Sequence, residues 1–480
     1  MMRKLIFLFF LLTSCNNSKE YFENSYCIEN INIIDSVNGL KKNMTIVISG
    51  NKILKVGKTK NLSLSKKNKI YDGKDQFIIP GLWDSHIHFA FEEELANSMF
   101  NLFIGHGITS VRDTGGELNF VKKWKKKSKQ NPNYFPRVKI AGPLIDGKFN
   151  VYNGNSVYFP SLSVKTASVE ETEEMVLDLI KNDVDFLKAY EMLTPEQFET
   201  VIKIAKKNNL RVSGHIPLSM DVITASNMGL NSIEHFRNIE MSSTNKTQEL
   251  LNKRRNILKN KDQILGSTLR TNIHNSQRIS SIKNIDSTEL SKVLNTLYEN
   301  DTWQIPTISM YEGIAYESYN NEKWRKSFDY LPHKIKNKWN EQISKRKNEV
   351  NDDSKVFSNW QKSVTRIMNK IGIKFMAGTD TPIFFQTPGY SLHTELEVLV
   401  ESGLTPIEAI ESATYNPAIY FNMQNELGLI SEGYIADLLI LSKNPLEKIS
   451  NTRKIEVVIK NGNYLNRKFL DSLLCNQSKN

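Results

Sequence analysis

Cysteine is scarce: the 480 residues hold three, at positions 15, 27 and 475, too few for a fold built on disulfides. Long hydrophobic runs are also missing. After the first dozen residues no stretch approaches the roughly 20 apolar residues that a membrane-spanning helix needs. The formal charge of +11 comes mostly from scattered lysines. Runs such as Lys122 to Lys127 carry neither aromatic interleaving nor a nucleic-acid motif, so they read as solvated helix faces and not as a nucleic-acid footprint. Histidine is rare, with eight in all. What is present is ordinary globular composition, 39% hydrophobic and 24% charged, on a chain long enough for one large domain and a smaller one.

The first residues form a separate unit. Met1-Met-Arg-Lys4 is followed by an apolar run from Leu5 to Leu12 and then Thr13-Ser14-Cys15. A basic start and a short apolar stretch suit an export signal. The segment resembles a bacterial lipoprotein signal with Leu12-Thr-Ser-Cys15 as its lipobox. That resemblance implies cleavage after residue 14, lipidation of Cys15 and a polar tether over 15–26. The expected location is the cell envelope, with the membrane touched only through the lipid. Cys27 and Cys475 leave the question of a disulfide open.

Short strand-like runs at Ile31 to Ile34, Met44 to Ile48 and Lys52 to Val56 are separated by Asn38-Gly39 and Gly50-Asn51 turn signals. The same style returns at Ile435 to Leu441 and Ile455 to Ile459. Both chain ends (27–79 and 422–468) are therefore expected to form one small β-sandwich domain, with 469–480 as a tail. Between them, strand candidates alternate with helical stretches: Phe77 to Leu82, Thr109 to Arg112, Val138 to Pro143, Phe186 to Tyr190, Arg211 to Gly214, Ser232 to His235, Trp303 to Ile308 and Lys374 to Ala377. Val169 to Lys181 reads as a helix, and Thr194-Pro-Glu-Gln and Thr405-Pro-Ile-Glu read as capping boxes with proline at the first helical position. Eight βα units over 80–421 predict a (β/α)8 TIM barrel, an α/β fold whose chemistry gathers at the C-terminal strand ends. Residues 237–301, rich in Asn, Lys, Ser and Thr, read either as a helical elaboration over the barrel mouth or as a plain surface insertion.

The polar residues fall on that scheme in an ordered way. In Pro80-Gly-Leu-Trp-Asp-Ser-His-Ile-His-Phe89, His86 and His88 sit two apart, on one side of an extended strand, and Asp84 shares their parity. Alone the pair reads equally as two surface histidines. However, Lys188, His215, His235 and Asp380 also end predicted strands, so four of the eight histidines lie where a barrel collects its active site.

This constellation resembles the amidohydrolase superfamily over nearly the whole chain, through Pro80 to His88, Gly107-Ile-Thr-Ser-Val-Arg-Asp-Thr-Gly-Gly, Gly214-His-Ile-Pro, Ile233-Glu-His235, Ala377-Gly-Thr-Asp380, Ala413-Thr-Tyr-Asn-Pro-Ala and Gly433-Tyr-Ile-Ala-Asp-Leu. It is most similar to the imidazolonepropionase-like and prolidase-like branches. The resemblance implies two divalent metal ions, usually zinc. His86, His88 and Asp380 would hold one and His215 and His235 the other, with a carbamate on Lys188 bridging both. A bridging hydroxide would attack a carbonyl carbon while Asp380 acts as base and then acid. Asp84 would orient His86 or His88. Tyr190 and Arg112 would lie near the mouth, within reach of substrate, although Tyr190 also reads as packing and Arg112 as paired with Asp113.

The implied activity is hydrolysis of a C–N bond in a small molecule: a dipeptide, an N-acyl amino acid or a cyclic amide. A lactonase, a mononuclear deaminase of the same superfamily, or a metal-poor surface-anchored binding protein are the alternatives. Ile-Pro-Leu-Ser-Met after His215 offers no acid or amide of the deaminase kind. His106 is expected to cap a helix, His393 to be structural or to support the site, and His274 and His333 to face solvent.

Overall fold

The computed structural model describes residues 21–62, 64–65, 67–259, 264–346 and 352–477. The expected lipoprotein signal, and Cys15 with its expected lipid, lie outside the described residues. The N-terminal strands are β1 (Ser25–Asp35), β2 (Gly39–Ser49), β3 (Lys52–Lys58), β4 (Lys69–Asp72) and β5 (Phe77–Pro80). Then follow β6 (Leu82–Ile87), β7 (Ile108–Asp113), β8 (Arg137–Ile140), β9 (Leu144–Asp146), β10 (Asn153–Ser156), β11 (Phe159–Ser161), β12 (Ser163–Lys165), β13 (Leu187–Ala189), β14 (Val212–Gly214), β15 (Ser232–Glu234) and β16 (Trp303–Ile305). The chain closes with β17 (Leu438–Leu441), β18 (Ile455–Lys460) and β19 (Asn463–Asn466).

Both chain ends share one continuous hydrogen-bonded sheet of eight strands, in the order β19-β18-β17-β5-β1-β2-β3 with β4 on β1. Its side chains alternate. Ile78, Leu438, Ile440, Val457 and Ile459 join Ile28, Ile31 and Ile46 in a core belonging to the sheet. Their neighbours Ile79, Leu439, Leu441 and Val458 point the other way, into the large core of the barrel. Cys27 is buried beside Val47 and Leu64 while Cys475 lies exposed, and no disulfide joins them. Residues 469–477 continue a helix, Arg467–Gln477, whose Leu470 and Leu474 are buried.

The expected first barrel strand, Phe77 to Leu82, is divided. Phe77–Pro80 pairs with β17, and the barrel begins at Leu82. Gly81 makes the join because a side chain there would strike β7: an added Cβ would lie 2.3 Å from Thr109 Oγ1.

Parallel pairing links β6-β7-β8 and β9-β13-β14-β15-β16. Asp185 N donates to Ile140 O at 2.8 Å across the gap between these two sheets. The segment around Lys374 to Thr381, expected as an eighth strand, forms no regular ladder. It bridges both neighbours: Met376 N donates to Gln304 O, Ser85 N to Ala377 O and His88 N to Thr381 O. The helix Val169–Lys181 and both capping boxes occur as expected. Residues 239–299 fold into helices Ile239–Ser242, Thr247–Lys259, Gly266–Lys283 and Ser287–Glu299. No helix among the described residues is long and apolar enough to cross a membrane.

Candidate active site

The strand ends open into a cavity of about 360 Å³. His86, His88, Lys188, His215, His235 and Asp380 all line it, as does Tyr190, whose ring lies 4.4 Å from that of His215. The ligand atoms of His86, His88 and Asp380 fall within 4.8 Å of one another. His235 Nε2 stands 3.6 Å from the other Asp380 oxygen, and the rings of His215 and His235 are 5.0 Å apart. The backbone at both His235 and Asp380 is left-handed (φ +58° and +63°), a conformation costing on the order of 1 kcal/mol or more for a side chain of this kind.

Each of the four histidines has its Nδ1 engaged from outside the centre. His86 pairs with Glu234 Oε2 at 2.6 Å, His88 with Gly115 O at 2.9 Å, His215 with Glu191 Oε1 at 2.6 Å and His235 with Thr307 Oγ1 at 2.5 Å. Carboxylate and carbonyl partners can only accept, so His86 and His88 carry their protons on Nδ1 when neutral and turn a lone pair on Nε2 inward. Asp380 Oδ1 faces those two Nε2 atoms at 3.2 and 3.3 Å without a hydrogen bond. Lone pair against lone pair in a buried site is repulsive unless a cation lies between them. The donor set therefore fits a divalent metal bound by nitrogen and oxygen.

Burial disfavours the charged form of every group here. It pushes Asp380 upward, but His86 and His235 outweigh it and the carboxyl ends well below its usual range. The same burial brings Lys188 down to about 8 against the opposing pull of Glu234, whose Oε1 is 3.4 Å from Nζ. That Nζ is buried and makes no hydrogen bond. The neutral fraction of such a buried amine, its nitrogen lone pair free of hydrogen bonds, is the form of lysine that reacts with carbon dioxide.

Three expectations are corrected. Arg112 does not reach the cavity. It is fully buried beneath the site, donating to Glu234 Oε1 at 2.6 Å and to Ser85 O, and stacking over Phe186 and Tyr420. A guanidinium on a strand facing the barrel interior finds its anion there, and the anion is Glu234, not the adjacent Asp113. His274 does not face solvent. It is 4% exposed and binds Glu191 Oε2 at 2.6 Å, because the helix Gly266–Lys283 lies against the cavity. Asp84 supports the site through backbone and not through an imidazole. It accepts from His86 N and from Thr379 N and Oγ1, tying the first and last barrel segments together. His106 caps its helix as expected, and its carbonyl meets His393 Nε2 at 2.9 Å; His333 is exposed.

Glu191, Glu234, Arg237 and Arg270 are functional candidates that the sequence reading passed over. The available signal was a carboxylate within an apolar strand end: Glu234 directly before His235, and Glu191 three residues after Lys188.

Comparison with known proteins agrees with this geometry. The amidohydrolase family model matches residues 331–465, which include Asp380. The likeness supports the amidohydrolase superfamily. Ochratoxinase of Aspergillus niger is 43% identical over 82 residues, 17% of this chain and 16% of that protein. An adenine deaminase of Staphylothermus marinus is 25% identical over 201 residues, 40% of this chain and 32% of that protein. The matched stretches thus span a third or less of these curated relatives. The crystal structure of a Xaa-Pro dipeptidase with bound methionine superposes with a TM-score of 0.67 at 22% identity, covering 92% of this chain and all of that one. That likeness shows the fold, an α/β barrel.

Proposed function

We propose that the chain is a metal-dependent hydrolase cleaving the amide bond of a dipeptide, an N-acyl amino acid or a related small molecule. The observation carrying this reading is the ring of four histidines, each held at Nδ1 from outside, around the unsatisfied Asp380 Oδ1 and Lys188 Nζ. His86, His88 and Asp380 would hold one divalent ion and His215 and His235 a second, and Lys188, as a carbamate, would supply a further anionic ligand. Zinc suits these ligands. When bound, the ions polarise the scissile carbonyl and acidify water. Asp380 takes a proton from the attacking water and returns it to the departing nitrogen. Tyr190 borders the same cavity as Asp380 and is placed to contact the substrate.

Purified protein should carry about two divalent ions per chain and hydrolyse members of a dipeptide and N-acyl amino acid panel supplied with zinc and bicarbonate. A folded protein that retains no metal and turns over nothing in the panel overturns the reading. We further propose export and lipidation at Cys15, tested by palmitate incorporation that Cys15→Ala abolishes. Incorporation unchanged in that variant refutes it.

A further inference from the structure

Amide hydrolysis requires no arginine, yet the cavity is lined by Lys188, Arg237, Arg270, Arg278, Lys338 and Arg346 against only Glu92 and Asp380. Some of this charge is neutralised locally. Lys338 pairs with Glu92 at 2.7 Å, and Arg278 reaches the buried Glu240 at 3.4 Å while stacking over Phe357. Arg346, nearer the surface, stacks over Phe384 and Phe385, and the buried excess lies at Arg237 and Arg270, which share one anion, Glu191. That carboxylate is fully buried and already bonds His215 Nδ1 and His274 Nε2 at 2.6 Å each. Arg270 Nε adds a third bond at 3.0 Å. Arg237 is left outside: its Nε is buried, 3.7 Å from Glu191, with no hydrogen bond. Two largely buried guanidiniums thus share one carboxylate that already accepts three bonds, and the Arg237 Nε–H is left unmatched, a costly arrangement unless a second anion arrives.

The position of the excess is informative. Arg237 follows His235 by two residues, and Arg270 shares with His215 the same Glu191 oxygen. Both guanidiniums therefore converge on the carboxylate that also holds the Nδ1 of His215, a metal-ligand candidate. Arg270 comes from the insertion helix, which is seated closely. Gly266 begins it against the Phe149 carbonyl, where an added Cβ would lie 1.7 Å from the oxygen. The rest of the lining is mixed, and its apolar and aromatic share includes Phe91, Phe159, Ile314, Trp339 and Phe384 beside polar side chains such as Gln342.

We infer that Arg237 and Arg270 form a carboxylate subsite, and that the substrate is an amide bearing a free carboxylate next to the scissile bond and an apolar or aromatic group on its other side. This rests on the hydrolase reading and narrows it to acylated amino acids and dipeptides, leaving out cyclic amides and bases without a carboxylate. In the reaction, the hydroxyl of water adds to the carbonyl carbon, the C–N bond breaks, and the nitrogen takes a proton and leaves as the amine of an amino acid. That amino acid's carboxylate is the group the arginines hold. Arginine suits this task because its planar fork matches a carboxylate with two parallel bonds.

The test compares N-benzoyl amino acids with N-benzoyl alkylamines that lack only the carboxylate, using the full metal-loaded protein. The wild type should prefer the acids by about 100-fold or more in kcat/KM. Arg270→Met and Arg237→Met should each shrink that preference at least tenfold, mainly through KM. The preference is a ratio within one variant, so a structural disturbance transmitted through Glu191 would leave it unchanged. Arg237 makes no hydrogen bond to Glu191, so its variant serves where Arg270→Met fails to fold. Equal kcat/KM for acids and alkylamines in the wild type overturns the subsite while leaving the hydrolase reading intact. Calorimetry with the non-cleaved N-benzoyl-D-amino acids separates the two ideas from the other side. Carboxylate-dependent binding that Arg237→Met removes, in a protein with no turnover, supports the subsite and rejects the hydrolase.

Discussion

Replacing Glu234 by glutamine changes one charge and almost no volume at a position where the structure leaves little freedom. Glu234 is fully buried. Its Oε2 accepts from His86 Nδ1, and its Oε1 accepts from Arg112 and from the Ser213 hydroxyl. Burial pushes its pKa up, but Arg112, Lys188 and His86 outweigh it, so the group is a carboxylate. An amide has one accepting oxygen and one donating nitrogen. With the oxygen kept on Arg112, the NH2 meets the Nδ1 proton of His86, donor against donor. His86 can escape only by moving its proton to Nε2, the atom that faces Asp380 at 3.2 Å. The substitution thus removes a metal-binding lone pair without touching a ligand. Losing such a support weakens metal binding by about 10- to 100-fold. Arg112, also fully buried, keeps a neutral partner in place of a charged one. The cost in stability should therefore fall at the low end of that for breaking a buried pair, about 3 kcal/mol. Metal content after dialysis against a graded chelator reads the first effect, and the urea midpoint reads the second. Wild-type metal retention together with an unchanged midpoint would refute the reasoning.

Three further outcomes follow from other parts of the molecule. Lys188→Ala should abolish turnover and be partly rescued by short carboxylic acids that replace the carbamate; full activity in the untreated variant sinks the carbamate assignment. Gly81→Ala should destabilise the protein by about 1–3 kcal/mol through its clash with Thr109, and Thr109→Ala, which removes the two nearest atoms but keeps Cβ, should restore part of the loss, both read from denaturation midpoints. Burial raises the Cys27 thiol to about 11, with Glu29 adding to it. At pH 8, peptide mapping after iodoacetamide treatment should therefore find Cys475 modified and Cys27 modified only in denaturant; native labelling of Cys27 would contradict its place in the sheet.

How far this site could be read from the chain depended on whether strand alternation held. It holds for His86 and His88, two residues apart at the end of β6, and the strand-end rule brought Lys188, His215, His235 and Asp380 to the same cavity. It fails at Glu234 and His235. Adjacent residues on a regular strand point to opposite faces, yet both meet His86: Glu234 at Nδ1, and His235 ring to ring at 4.8 Å. The left-handed turn at His235, with φ +58°, breaks the alternation, and nothing in Ser-Ile-Glu-His announces it. The apolar run from Phe77 to Leu82 hid the boundary at Gly81 for a related reason, since one continuous hydrophobic signal serves two sheets whose difference lies only in their partners. The helix Gly266–Lys283 follows the expected helical elaboration over the barrel mouth, and what the sequence hides is which way its polar side chains face. A segment of Asn, Ser, Thr, His and Arg reads as a solvated face under the rule that polar residues lie outside. Here the surface it covers is itself charged, so His274 and Arg270 point inward to Glu191, and polarity alone could not tell cavity from solvent.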